Sequence, residues 1–228
     1  MTSIDVIVDL RANFGPARDQ LQRPTCLAFA VSDAHAGIRG GWLPLSCEYL
    51  YFCAIQRAGR SPDSGATLDS ALTAMAKDGQ PAETAWPYLP VSPREMTQWT
   101  PPTPLGELFG RNGTRVQHTL DAVFTLLKLS QPVILLMCLS QSFYLPDAFA
   151  VVRPGQGEMA DQNARHAVIA VGCGAIANER AVLVRNSWGP GWGEQGYAWL
   201  TEAFLGPRLF AAALLTDEVH VSSHPNAA

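Results

Sequence analysis

Three short segments of the chain bring together a thiol, an imidazole and a carboxamide: Gln20 to Phe29, Arg165 to Gly174 and Val184 to Tyr197. A cysteine nucleophile, a histidine base and an asparagine that orients the base form a recurrent acyl-transfer arrangement. Its members need to meet only in space. Of the five cysteines, at positions 26, 47, 53, 138 and 173, Cys26 has the setting this chemistry needs. It lies in the first turn of a helix expected over Thr25 to about Ile38, and a helix N-terminus with a nearby imidazolium favours the reactive thiolate. Cys47 and Cys53 fall in a second expected helix, Cys138 in an apolar strand and Cys173 after a strand, all of which suit a small buried hydrophobe. On position alone Cys26 remains open to the same reading. The odd count, the wide scatter and the lack of a C-x-x-C pair favour free thiols over a disulfide framework.

The elements that would position these groups differ between the two halves. In the first half, Ser46 can cap a helix running to about Ala58, and Leu68, Leu72, Met75 and Ala76 give a helical stripe closed by Gly79. From Ala85 to Pro104 six prolines exclude regular structure, so this stretch reads as a surface crossover between lobes. Leu120, Val123, Phe124 and Leu127 carry one more helical stripe. Val133 to Leu139, His166 to Val171, Ala181 to Asn186, Gly196 to Leu200 and Ala211 to Leu215 then read as strands. The expectation is an α+β chain with a helical N-terminal lobe, a mainly antiparallel sheet lobe, and a ligand groove between them.

Composition narrows the function classes. With 228 residues, 47% hydrophobic and 16% charged, the chain can bury a core and lies far from the signature of disorder. Sixteen Lys and Arg against 20 Asp and Glu, with no basic run, set nucleic acid aside as a partner. No apolar run approaches the ~20 residues of a membrane span. The first ten residues lack a basic n-region and a long apolar core, so a cytoplasmic protein is expected, or one delivered without a cleavable signal.

The active-site segment resembles that of the papain-like cysteine peptidases: Gln20 stands six residues before Cys26, and Ala28-Phe29 follows it. Arg165-His166-Ala167-Val168 leading to Val171-Gly172 is similar to the family's histidine strand. Arg185-Asn186-Ser187-Trp188-Gly189-Pro190-Gly191-Trp192-Gly193 resembles its Asn-Ser-Trp-Gly motif. Weaker echoes are Leu45-Ser46, Gly65 before Ser70-Ala71-Leu72, and Trp86-Pro87-Tyr88. The resemblance runs from about Asp9 to Leu215. It implies a single two-lobe peptidase domain over 1–228, with a helical lobe at about 20–104, an antiparallel sheet or barrel lobe at about 105–215 and a tail at 216–228.

The resemblance also implies roles. Cys26 is the nucleophile, His166 its base, Asn186 the residue that orients the imidazole and Trp188 a cover that keeps water from that contact. Gln20 donates to the oxyanion. Ser64 and Gly65 are the best match to the strand that pairs with a substrate backbone. Thr67, Leu68, Ala164 and Ala167 are expected to line an apolar S2 pocket, and Arg165 adds a positive charge at its mouth. Some features depart from the family. Arg23 stands where its first cysteine would be, and Ser61 to Ala66 replaces the stretch carrying the partner, so the first disulfide cannot form. Only 25 residues precede Cys26, where the family carries a long propeptide.

Other letters fit plainer readings. His35, His118, His220 and His224 show no metal-ligand spacing, and no metal or other cofactor is expected. Gly191 to Gly196 matches G-x-G-x-x-G, but a strand-like segment follows instead of a helix, which excludes a dinucleotide loop. Phe143, Tyr144 and Phe149 form a loop aromatic patch suited to a core edge. The resulting expectation is a thiol endopeptidase acting on a peptide or protein. A papain-fold ligase or transpeptidase, and a catalytically silent binding module, are the alternatives. The sequence does not address the oligomeric state.

Overall fold

The structure, a computed structural model, describes residues 3–94 and 96–221. In chain order its elements are β1 (Ile4–Asp9), α1 (Cys26–Arg39), α2 (Cys47–Ala58), α3 (Leu68–Lys77), β2 (Phe109–Val116), α4 (Leu120–Lys128), β3 (Val133–Cys138), α5 (Gln141–Tyr144), β4 (Val151–Val152), β5 (Arg165–Ile176), β6 (Glu179–Arg185), β7 (Tyr197–Thr201), α6 (Glu202–Leu205) and β8 (Leu209–His220). They fall into two compact units. Of the described residues, one takes in those within 20–114 and 215–221 and is built on helices; the other takes in 3–19 and 115–214 and is built on a sheet. The chain is α+β, as expected.

In the helical unit the three main helices start where helices were expected, and the caps of α2 and α3 make side-chain hydrogen bonds whereas that of α1 makes none. Thr25 precedes α1, the Ser46 hydroxyl accepts the Tyr49 N–H at 3.0 Å at the head of α2, and Thr67 and Ser70 form a reciprocal capping box on α3. The proline-dense stretch has no regular element beyond short 3-10 turns and is mostly exposed or half-buried, as expected of a surface segment, yet two of its residues anchor it. Trp86 and Trp99 from this stretch are both buried, with ring centroids 5.6 and 5.2 Å from Phe52. Proline removes ladder donors but does not prevent burial, and two indoles contribute far more apolar area than a solvated linker would.

In the sheet unit the strand order is β8-β3-β5-β6-β7-β4, with β1 on β5. The sheet is open and does not close into a barrel. β5 pairs antiparallel with β3 through Ala170, and where β3 has ended β1 takes over that edge from Gly172 to Ile176. On its other edge β6 pairs antiparallel from Ile169 onward, while β4 joins β7 in parallel.

β1 was not among the expected strands, and it explains why β5 runs past Val171. A Cβ on Gly172 would lie 2.5 Å from the Val8 carbonyl oxygen, and one on Gly174 2.5 Å from that of Asp5. These glycines permit close strand approach instead of ending the strand. β2, with two glycines and an asparagine, has no strand-like sequence signal and was likewise not expected. β8 continues to His220, beyond the expected tail boundary at 216. His224 lies outside the described residues. Among those residues no helix is long and apolar enough to cross a membrane.

Candidate active site

In the helical unit, the turn from Gln20 to Cys26 is held by its own hydrogen bonds. Gln20 is 7% exposed, and its Nε2 donates to the Arg23 carbonyl at 2.9 Å. The Thr25 backbone N–H donates to the same oxygen at 2.8 Å. The Tyr88 hydroxyl donates to the Gln20 carbonyl at 2.7 Å and lies 2.8 Å from Thr25 Oγ1. A phenol has one proton, so Thr25 must be the donor in the second contact. One side chain therefore ties both ends of the turn. Burial pushes the Tyr88 hydroxyl up to about 12, which keeps it protonated and able to donate. Tyr88 entered the sequence reading only as a weak echo, because nothing in its spacing reports on a partner 63 residues away.

Cys26 is the first residue of α1 and is partly exposed, whereas Cys47, Cys53, Cys138 and Cys173 are buried. Burial pushes the Cys53 and Cys173 thiols up and makes them poor nucleophiles. Among the expected substrate-facing residues of this unit, Gly65 lies against Pro24: a Cβ there would be 3.4 Å from the Pro24 carbonyl oxygen. Ser64 shares a 2.6 Å hydrogen bond with Ser61. The Thr67 hydroxyl caps α3, and Leu68 is buried at 4% exposure.

In the sheet unit, His166 is the second residue of β5 and Asn186 follows the last residue of β6. His166 Nε2 lies 2.7 Å from Asn186 Oδ1, and the Ser187 backbone N–H donates to that oxygen at 2.8 Å. The backbone donor requires an oxygen opposite it, which fixes the carboxamide orientation. Nε2 must then carry the proton, and in the neutral ring Nδ1 is the basic nitrogen. Burial holds His166 down to about 4, with the Asn186 bond opposing that shift.

Aromatic rings enclose the imidazole. The Trp188 centroid lies 4.8 Å away and that of Phe143 5.6 Å away, and Tyr144 stacks on Trp188 at 5.4 Å. Trp192 Nε1 donates to the Phe143 carbonyl at 3.0 Å. The sequence grouped Phe143, Tyr144 and Phe149 as one patch. Phe143 is fully buried against His166, whereas Tyr144 and Phe149 are exposed. The one-turn helix α5 separates adjacent residues onto opposite sides, which residue type alone does not reveal.

Ala164 borders an open cleft of about 730 Å³ together with Leu139, Tyr144, Leu145, Met159 and Asp161. Arg165 is exposed at the start of β5, with its guanidinium 5.5 Å from the Phe210 ring centroid, and Ala167 is buried at 2% exposure. Gly193 and Gly196, from the dinucleotide-like run, have positive φ. A Cβ would come within 2.2 Å of the Tyr197 carbonyl oxygen at Gly193, and within 2.2 Å of Ala17 Cβ at Gly196. The glycines make this loop possible, and β7 follows it directly.

The sequence model of the family described as "Papain family cysteine protease" matches residues 4–204. A "Cysteine protease" of Blomia tropicalis is 29% identical over 202 residues, 83% of this chain and 58% of that protein. The chain thus spans less than two thirds of that relative's length. "Papaya proteinase 4" of Carica papaya is 59% identical over 32 residues, 14% of this chain and 9% of that one. Xylellain, a cysteine protease from Xylella fastidiosa, has a TM-score of 0.74 at 21% identity, covering 92% of this chain and 85% of its own. The Carica candamarcensis cysteine protease CMS1MS2, solved in complex with E-64, has a TM-score of 0.70 at 25% identity, covering 92% and 97%. Because the family match extends over most of its length, the chain belongs to the papain family of cysteine proteases.

Proposed function

We propose that the chain is a thiol endopeptidase that hydrolyses peptide bonds through an acyl-enzyme on Cys26. His166 Nδ1 takes the Cys26 proton, and the Sγ lone pair attacks the substrate carbonyl carbon. The C–N bond breaks as Nδ1–H protonates the leaving amine. Water then gives a proton to Nδ1 as its oxygen attacks the thioester carbon, the C–S bond breaks to release the acid, and Nδ1–H returns the proton to Sγ to restore the thiol. Gln20 Nε2–H and the Cys26 backbone N–H donate to the oxyanion, a contact whose loss typically costs ~2.7–4 kcal/mol of barrier.

The observation that carries this reading is the His166–Asn186 bond with Ser187 N–H on the same oxygen, because it assigns the ring's basic nitrogen to Nδ1. The helix N-terminus at Cys26 favours an anion at that position. The cleft beside Ala164, with Leu139, Leu145 and Met159 on its walls, suits an apolar side chain of a peptide or protein substrate. Five unbridged cysteines fit work in a reducing, cytoplasmic setting.

Turnover of a panel of dipeptidyl fluorogenic amides by the reduced protein tests the reading. Cleavage that disappears in Cys26→Ala is expected, and cleavage that survives the substitution contradicts it. Thiol labelling without turnover points to a ligase that requires an acceptor amine, and neither labelling nor turnover points to a binding module.

A further inference from the structure

Arg23 lies between the two residues of the helical unit on which the proposed reaction depends, Gln20 and Cys26. Its side chain is 2% exposed and forks onto that of Glu48, itself 0% exposed, with Nη1 to Oε2 at 2.5 Å and Nη2 to Oε1 at 3.0 Å. Glu48 also accepts from Trp99 Nε1 at 2.7 Å and from the Leu89 backbone N–H at 3.1 Å. The Leu89 carbonyl in turn accepts from Arg23 Nη1 at 2.7 Å, so one residue of the proline-dense stretch is bonded to both ions. The rings of Tyr88, Tyr51 and Trp99 surround the guanidinium, with centroids 4.9, 5.5 and 5.9 Å from Cζ.

Taking both charges out of water is costly, and apolar residues of similar volume often replace a buried pair without loss of stability. A bidentate fork does supply a fixed direction. The backbone of this same Arg23 anchors the nucleophile turn. Its carbonyl accepts the Gln20 amide and the Thr25 N–H, and its N–H donates to the Gln20 carbonyl at 3.4 Å. The Tyr88 ring that the guanidinium faces carries the hydroxyl bonded to both ends of the turn.

We propose that the buried Arg23–Glu48 ion pair is a positioning device for the oxyanion donor. It fixes the Arg23 main chain, whose carbonyl fixes one N–H of the Gln20 amide and so aims the other. The catalytic consequence rests on the peptidase reading, whereas the hold on the Gln20 amide does not.

The test compares Arg23→Met/Glu48→Met, which removes both charges together, with the wild type. Four properties are read: melting temperature, the Gln20 side-chain amide proton resonances, the rate of Cys26 alkylation, and kcat and KM on a fluorogenic dipeptidyl amide. A melting temperature close to wild type and unchanged alkylation are expected, with Gln20 amide resonances moving towards those of a solvated glutamine. The expected kcat is lower by at least ~10-fold at unchanged KM. In a Gln20→Ala background the same double change should lower kcat by less than ~2-fold, because the coupled partner is already gone.

Unmoved Gln20 resonances, or an equal loss of kcat with and without Gln20, would overturn the proposal. If the double variant does not fold, Arg23→Lys keeps the charge and loses the fork; displaced Gln20 resonances are expected there, and unmoved ones again overturn the proposal. A wild-type protein without turnover would remove the peptidase reading, and the amide resonances alone would then decide the role of the ion pair.

Discussion

Asn186 Oδ1 sits 2.7 Å from His166 Nε2 and receives the Ser187 backbone N–H at 2.8 Å on the same atom. The asparagine is thereby held from one side and holds the imidazole on the other. Asn186→Ala removes the acceptor, leaving a buried ring N–H unpaired and the ring orientation unfixed. A fall in kcat of about 10- to 100-fold with little change in KM is expected, measured on a fluorogenic amide.

The titration of His166 reports whether a thiolate accompanies it. Burial, opposed by the Asn186 bond, holds the ring down to about 4. In Cys26→Ala, where no thiolate can form, the ring is expected to titrate near that value. In the wild type the anion's attraction should raise it, because an opposite charge favours the imidazolium. Histidine resonances followed over a pH series check this, and identical titration in both proteins would rule out the ion pair.

A second buried histidine sets the acid limit of stability. His35 in α1 is 0% exposed, with Nδ1 3.3 Å from Gln80 Oε1 and no hydrogen-bond partner on Nε2 among the described residues, and burial holds it down to about 4. The unfolded chain takes up this proton near pH 6.5, whereas the folded chain takes it up only near 4. The unfolded state therefore binds more protons between those values, and stability falls as pH falls through that window, by up to ~1.4 kcal/mol per pH unit for each such group. Urea unfolding at pH 7 and pH 5 is expected to show the decline, and His35→Gln to reduce its slope.

The tight loop after Trp192 admits no side chain at its glycines. Gly193→Ala places a Cβ within 2.2 Å of the Tyr197 carbonyl oxygen at a φ of 56°. The left-handed backbone alone costs about 1–2 kcal/mol, and the collision with main chain adds to it. A clear drop in melting temperature is expected, with Gly191→Ala, where nothing lies within 4 Å, as the mild control.

The sequence makes some of this architecture plain and hides the rest for physical reasons. The helices α1, α2 and α3 were legible because apolar periodicity, the Ser46 cap on α2 and the glycines that end them are all local signals. The pairing of His166 with Asn186 came from a family resemblance, since a separation of 20 residues carries no local signal. β1 was missed because its partner is Gly172–Ile176, far along the chain, and the glycines that receive it look like a strand end. The Pro-dense stretch is irregular and mostly at the surface, as its prolines indicate, but its anchors were hidden for a similar reason. Its prolines report on local backbone, while Trp86, Leu89 and Trp99 report on contacts with α2 and Arg23 that only the folded chain displays.

Activation by His166 should single out Cys26 among the five thiols. Treating the reduced protein with an epoxide thiol inhibitor and mapping the product by mass tests it most directly. A single adduct on Cys26, forming far more slowly in His166→Ala, is the expected result. An adduct on another cysteine, or labelling of Cys26 at the same rate without His166, would contradict it.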